Sequence, residues 1–272
     1  MEKKERTGLI IFIIATLASG WIGVLIDNIL TEQPEGNSLG MGCWLILPLL
    51  FAIVLRTLGH DWMDFGIKAN CKGNIKWYGM AIILFPMITA ISLLGALVCG
   101  GLKIQSVSLD IVFALMLSSI VGSVIKNIFE EFAWRGYLVP KLMKVPINDW
   151  MLYLISGLVW ALWHTAYYMV FLPDEYFEST SRMGMVISGC ILMVSWSILF
   201  VELYRITKSV WPCVILHTME DAIPTMLFTS ESIFSISEEF EVWLHPISGI
   251  LATILVIGAG LLLRRKRIHL FK

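Results

Sequence analysis

Charge is scarce in this chain. Only 15% of its 272 residues are Asp, Glu, Lys or Arg, against about 25% in an ordinary soluble domain. With 57% hydrophobic residues and a mean hydropathy of +0.79, that shortage excludes a water-soluble globular enzyme, which needs charge to cover its surface. Low-complexity tracts and internal repeats are missing, and the longest polar connection, about 60–76, is too short to fold alone. The net charge of -1 gives no field that would draw nucleic acid. The five cysteines, Cys43, Cys71, Cys99, Cys190 and Cys213, are odd in number and lack metal-ligand spacing. They read as small buried hydrophobes.

What is abundant is apolar runs long enough to cross a bilayer, about 20 residues each. Eight windows qualify: 8–28, 41–58, 77–100, 111–132, 151–172, 183–201, 210–227 and 242–263. Prolines inside them (Pro48, Pro86, Pro212, Pro224, Pro246) are tolerated kinks in a bundle. Basic residues set the orientation. The first, third, fifth and seventh connections hold only Lys103 and Arg182. They carry the acids Glu32, Glu35, Asp110, Asp174, Glu175, Glu178, Glu231, Glu238, Glu239 and Glu241. Lys3, Lys4 and Arg6, then Arg56, Lys68, Lys72 and Lys76, and the run Arg264–Arg267 lie on the opposite side. The expectation is an all-α polytopic transmembrane bundle of about eight spans. It forms a single membrane-embedded domain over 1–272, with both termini cytoplasmic. The first span begins like a secretory signal but is longer than a signal's apolar core, so it reads as a retained anchor.

Ionisable residues inside such windows cost several kcal/mol unless paired or hydrated, which marks them as functional candidates. They are Asp27, Lys126, Glu130, Glu131, Arg135, His164, Glu202, His217, Glu220 and Asp221. Asp27 and Glu202 fall near span ends, and Glu202 has a partner one turn on in Arg205. The rest cluster on the fourth, fifth and seventh windows. Glu131 and Arg135 share a helical face, while Glu130 is turned about 100° away, so the two carboxylates are free to do different jobs. His217 and Asp221 also share a face. At 1.5 Å per residue, Glu130, His164 and His217 lie about 21, 21 and 14 Å from the cytoplasmic ends of their spans, in one layer. A carboxylate and two imidazoles suit activation of water, by a general base or by a bound cation. H-E-x-x-H, a G-x-S-G turn and a G-x-G-D motif are all absent, as is a Ser or Cys placed to form a triad.

Three motifs then stand in order: Glu130-Glu131-x-x-x-Arg135, Trp160-x-x-x-His164 and His217-x-x-x-Asp221. They resemble those of the CAAX protease and bacteriocin-processing family of intramembrane endopeptidases, over a motif-bearing core of about 110–227. The resemblance implies that Glu130 activates the water with His164 beside it. It further implies that His217 and Asp221 face the substrate carbonyl, and that Glu131 and Arg135 support the site. Trp160 stands where the family often has Phe, read as a packing change. Asp221 stands where many members have Asn; an ionised Asp cannot donate to an oxyanion, leaving it as protonated donor, orienter of His217 or metal ligand. Zinc on Glu130, His164 and His217 is compatible with an open site, and a metal-free glutamate mechanism is equally compatible. The implied partners are the bilayer and a membrane-associated or prenylated protein or peptide precursor, in the cell membrane of a prokaryote. A scaffold or bacteriocin self-immunity protein of the same fold is the alternative, followed by a proton-coupled transporter.

Overall fold

The computed structural model describes residues 3–34, 37–177, 180–230 and 233–270. In chain order the helices are α1 (Lys3–Ile29), α2 (Leu39–Gly59), α3 (Ile75–Val98), α4 (Leu109–Ala133), α5 (Val139–Leu142), α6 (Asp149–Trp163), α7 (Arg182–Thr207), α8 (Trp211–Thr225), α9 (Glu238–Leu244) and α10 (Ile250–Leu270). Wider π-helical turns at Trp134–Leu138, Tyr167–Phe171 and Met226–Ser230 follow α4, α6 and α8. Among the described residues the fold is all-α but for one antiparallel pair, β1 (Leu102–Ile104) with β2 (Phe234–Ile236).

Among the described residues, six helical stretches are long and apolar enough to cross a membrane: Lys3–Ile29, Leu39–Gly59, Ile75–Val98, Leu109–Leu142, Asp149–Phe171 and Arg182–Thr207. The chain is therefore a multi-pass integral membrane protein. The seventh window corresponds to α8, which has 15 residues. The eighth, 242–263, is not one helix. It joins the end of α9, an extended His245, a turn through Gly249 and the start of α10. Glu35, Glu178 and Glu231 lie outside the described residues.

The chain divides into two compact units, Met1–Ile67 with Phe129–Val201 and Lys68–Ile128 with Glu202–Lys272. In the first, α1 and α2 form a tight hairpin. A Cβ on Gly23 would meet the Gly40 carbonyl oxygen at 2.2 Å, so the two glycines set how closely the helices approach. The Gly40 amide donates to Asp27 at 2.8 Å and the Met41 amide to Ser38 at 3.0 Å. These acceptors satisfy the open amides of the first turn of α2, so Asp27 is a helix cap. Arg56, grouped by sequence with the topology-setting charges, is fully buried instead. It donates to Asp64, to the Asp61 carbonyl at 2.7 Å and to the Gly136 carbonyl inside the first π turn. Nearby, Lys141 and Lys144 converge on Asp61, and Lys144 also reaches Glu5 of α1 at 2.9 Å. Burial alone would raise the Asp61 carboxyl, but hydrogen bonds from the two lysines outweigh it and hold the group at about 2.

In the second unit α3 packs along α8. Asn70 donates to the Lys208 carbonyl at 3.0 Å, closing the end of α7 where Lys208 turns left-handed (φ 53°). Ser119 of α4 donates to the Ala222 carbonyl of α8 at 3.2 Å. Glu202 takes its expected partner Arg205 at 3.0 Å and also accepts from Arg267 of α10. Of the cysteines, Cys213 is buried and Cys43 and Cys190 are half-buried. Cys71 and Cys99, in the turns flanking α3, are exposed, contrary to expectation, because each lies outside the helix itself, Cys99 as its C-cap.

Candidate active site

The neighbouring carboxylates of α4 have divided their work. Glu131 is fully buried and accepts from Arg135 at 2.9 Å. The guanidinium lies 4.2 Å from the centre of the Trp160 ring and 4.4 Å from that of Phe200. Two aromatic faces and one carboxylate thus enclose the cation. This pair is a fixed internal element whose charges are spent on each other.

Glu130, only 2% exposed, points elsewhere: its Oε1 accepts from the indole N–H of Trp160. The backbone carbonyl of the same Trp160 lies 2.9 Å from Nδ1 of His164. A carbonyl only accepts, so Nδ1 carries the imidazole proton and Nε2 is left as the basic nitrogen. His164 caps the C-terminus of α6. Its ring is walled by Trp163 at 4.6 Å, Trp44 at 5.5 Å and a stacked Tyr168 at 5.7 Å. Trp160 therefore supports Glu130 through its side chain, His164 through its backbone and Arg135 through its ring. Reading it as a packing change missed this. The available signal was chemical: a buried indole in an apolar span needs an acceptor for its N–H.

The third motif forms its own cluster. On α8, His217 Nε2 lies 4.0 Å from Glu220 and 3.9 Å from Asp221, on one face as expected. Asp221 accepts from Lys126 Nζ at 2.9 Å and from Asn127 Nδ2 at 2.7 Å, both from α4. A carboxylate taking an ammonium and an amide donor is an acceptor, which argues against the protonated-donor role. At 3.9 Å it is also too far from His217 for an orienting hydrogen bond. Ligand atoms of His217, Glu220 and Asp221 lie within 4.8 Å of one another, yet a metal there would compete with the Lys126 ammonium for Asp221. Lys126 was visible as an intramembrane charge, but its spacing from Asp221 in the chain gave no sign of their pairing.

The structure thus joins Glu130 to His164 through Trp160, Glu131 to Arg135, and Asp221 to Lys126, with His217 on the same helical face as Asp221. Residues 111–223, which contain all three motifs, match the family model described as type II CAAX prenyl endopeptidase, Rce1-like. This segment is similar to that family. A search of curated proteins finds no match. The similarity supports a membrane protease kind of function with a peptide or protein substrate, and the apolar helices imply a lipid bilayer around the chain.

Proposed function

We propose that the protein hydrolyses a peptide bond in a membrane-associated or prenylated protein or peptide precursor, in the cell membrane of a prokaryote, using water activated by Glu130. Glu130 takes a proton as the water oxygen bonds to the carbonyl carbon, then passes it to the departing amine as the C–N bond breaks. His164, with Nε2 as its acceptor, orients the same water. His217 faces the substrate carbonyl, and Glu131 with Arg135 keeps the scaffold of α4 in place. A zinc ion held by Glu130, His164 and His217 would supply Lewis-acid activation of that water; the proton transfers above use the chain's own groups.

The observation that carries this reading is the double engagement of Trp160, which fixes a carboxylate and an imidazole from one residue. Catalytic groups need that kind of pre-organisation, whereas unrelated buried polars do not. The test is cleavage of an internally quenched farnesylated Cys-a-a-X peptide, and of its unlipidated form, by purified protein in nanodiscs. Cleavage is expected, lost on Glu130→Ala and on His164→Ala while both variants fold. Cleavage that survives both substitutions overturns the proposal.

A further inference from the structure

The first unit contains a cavity at the level where membrane spans end. α1 begins at Lys3, α2 ends at Gly59 and α5 ends at Leu142, and between them opens a space of about 930 Å³. Its charged lining is Lys3, Lys4, Lys141 and Lys144 against Glu5 and Asp61, so ammonium groups outnumber carboxylates two to one. Both acids are already engaged: Lys144 donates to Glu5 at 2.9 Å and to Asp61 at 3.0 Å, and Lys141 donates to Asp61 as well. Lys4 donates to the Leu58 carbonyl at 3.1 Å, in the last turn of α2. The charges of Lys3 and Lys4 thus have no carboxylate opposite them among the described residues. Tyr137 is the residue that points to a ligand. It is 2% exposed, a Cβ on Gly8 would meet its hydroxyl at 3.2 Å, and both residues line the cavity. Among the described residues that hydroxyl has no hydrogen-bond partner, a costly state for a buried phenol unless something in the cavity completes it.

We infer that this cavity binds the phosphate headgroup of an anionic membrane phospholipid. A phosphodiester is negative and its oxygens only accept, which matches a lining of ammonium groups and one phenolic O–H. A free phosphate ion would present the same oxygens, but the rest of the lining favours a lipid. Ile11 and Leu58 are exposed apolar side chains on the same cavity, and it stands where one span begins and two end, at the depth of the headgroups. Orientation in the membrane requires only basic residues near span ends. It does not require Lys141 to be buried or a partnerless phenol beside it. None of these groups belongs to the three motifs, so the site does not rest on the peptidase reading.

The test is native mass spectrometry of the full-length protein in neutral detergent, titrated with dioctanoyl phosphatidylglycerol, dioctanoyl phosphatidylcholine or inorganic phosphate. One phosphatidylglycerol is expected to bind about 10-fold more tightly than phosphatidylcholine, whose choline cation meets the lysines. Lys3→Gln/Lys4→Gln changes two exposed side chains and is expected to weaken phosphatidylglycerol about 10-fold. Tyr137→Phe keeps the ring and deletes the hydroxyl, for a loss of about 5-fold. Both variants should melt with the wild type. Lys68→Gln/Lys72→Gln removes the same charge from exposed positions that do not line the cavity, and leaves affinity within about twofold. Equal binding of the two lipids, an equal loss in the Lys68/Lys72 variant, or unchanged affinity in both cavity variants would overturn the proposal. Displacement of phosphatidylglycerol by inorganic phosphate at the same concentration would make the ligand a free anion and overturn the lipid assignment.

Discussion

The cluster around Trp160 and the cluster around Asp221 hold their charges by opposite means. In the first, aromatic residues do the holding: an indole N–H for Glu130, ring faces for Arg135, a wall of Trp163, Trp44 and Tyr168 for His164. In the second, charge is held by charge, with Lys126 bonded to an Asp221 that keeps partial exposure. Rigid, weakly polar walls suit a group that must keep one geometry while its proton comes and goes. On the proposed function, proton transfer belongs to the first cluster.

The contrast can be broken by substitution. The largest effect is expected from Glu130→Gln, which removes the base: cleavage falls about 10,000-fold with thermal stability unchanged. Its neighbour should behave in the reverse way. Glu131→Gln leaves Arg135 buried without a counter-charge and destabilises the protein by about 3–5 kcal/mol, read as a lower melting temperature in nanodiscs. Next comes Trp160→Phe, which keeps the ring over Arg135 and the carbonyl facing His164 but deletes the N–H. Loss of one hydrogen bond to a carboxylate predicts a kcat about 10- to 100-fold lower with KM unmoved; an unchanged kcat would return Trp160 to a packing role. The smallest effect belongs to the Asp61 cluster. Asp61 is held at about 2 by Lys141 and Lys144, below its unfolded value of about 3.9. Its contribution is therefore present above about pH 4 and disappears as pH falls toward 2, so melting temperature should drop modestly over that window and Asp61→Asn should flatten the drop.

Much of this was legible in the sequence because burial in lipid makes charge informative. Glu131 with Arg135 and His217 with Asp221 are i, i+4 pairs, and helical geometry alone places them together. The partners that escaped are those joined by tertiary packing. Lys126 and Asp221 lie on α4 and α8, and Trp160 reaches Glu130 from α6, so neither pairing leaves a periodic trace. The last window failed for a local reason: apolar composition runs through 242–263, but His245 turns extended and the chain restarts as a new helix at Ile250. Hydropathy averages over such a break. Arg56 was read by its position near a span end, and only packing against Asp64 and the Gly136 carbonyl shows it to be internal.

The central claim is that two adjacent glutamates serve separate ends, one chemical and one structural. Peptide cleavage and thermal melting, measured side by side on Glu130→Gln and Glu131→Gln in the same nanodiscs, test it most directly. The account predicts a Glu130 variant that melts with the wild type and does not cleave, beside a Glu131 variant that melts early. A Glu130 variant that cleaves at the wild-type rate would contradict it.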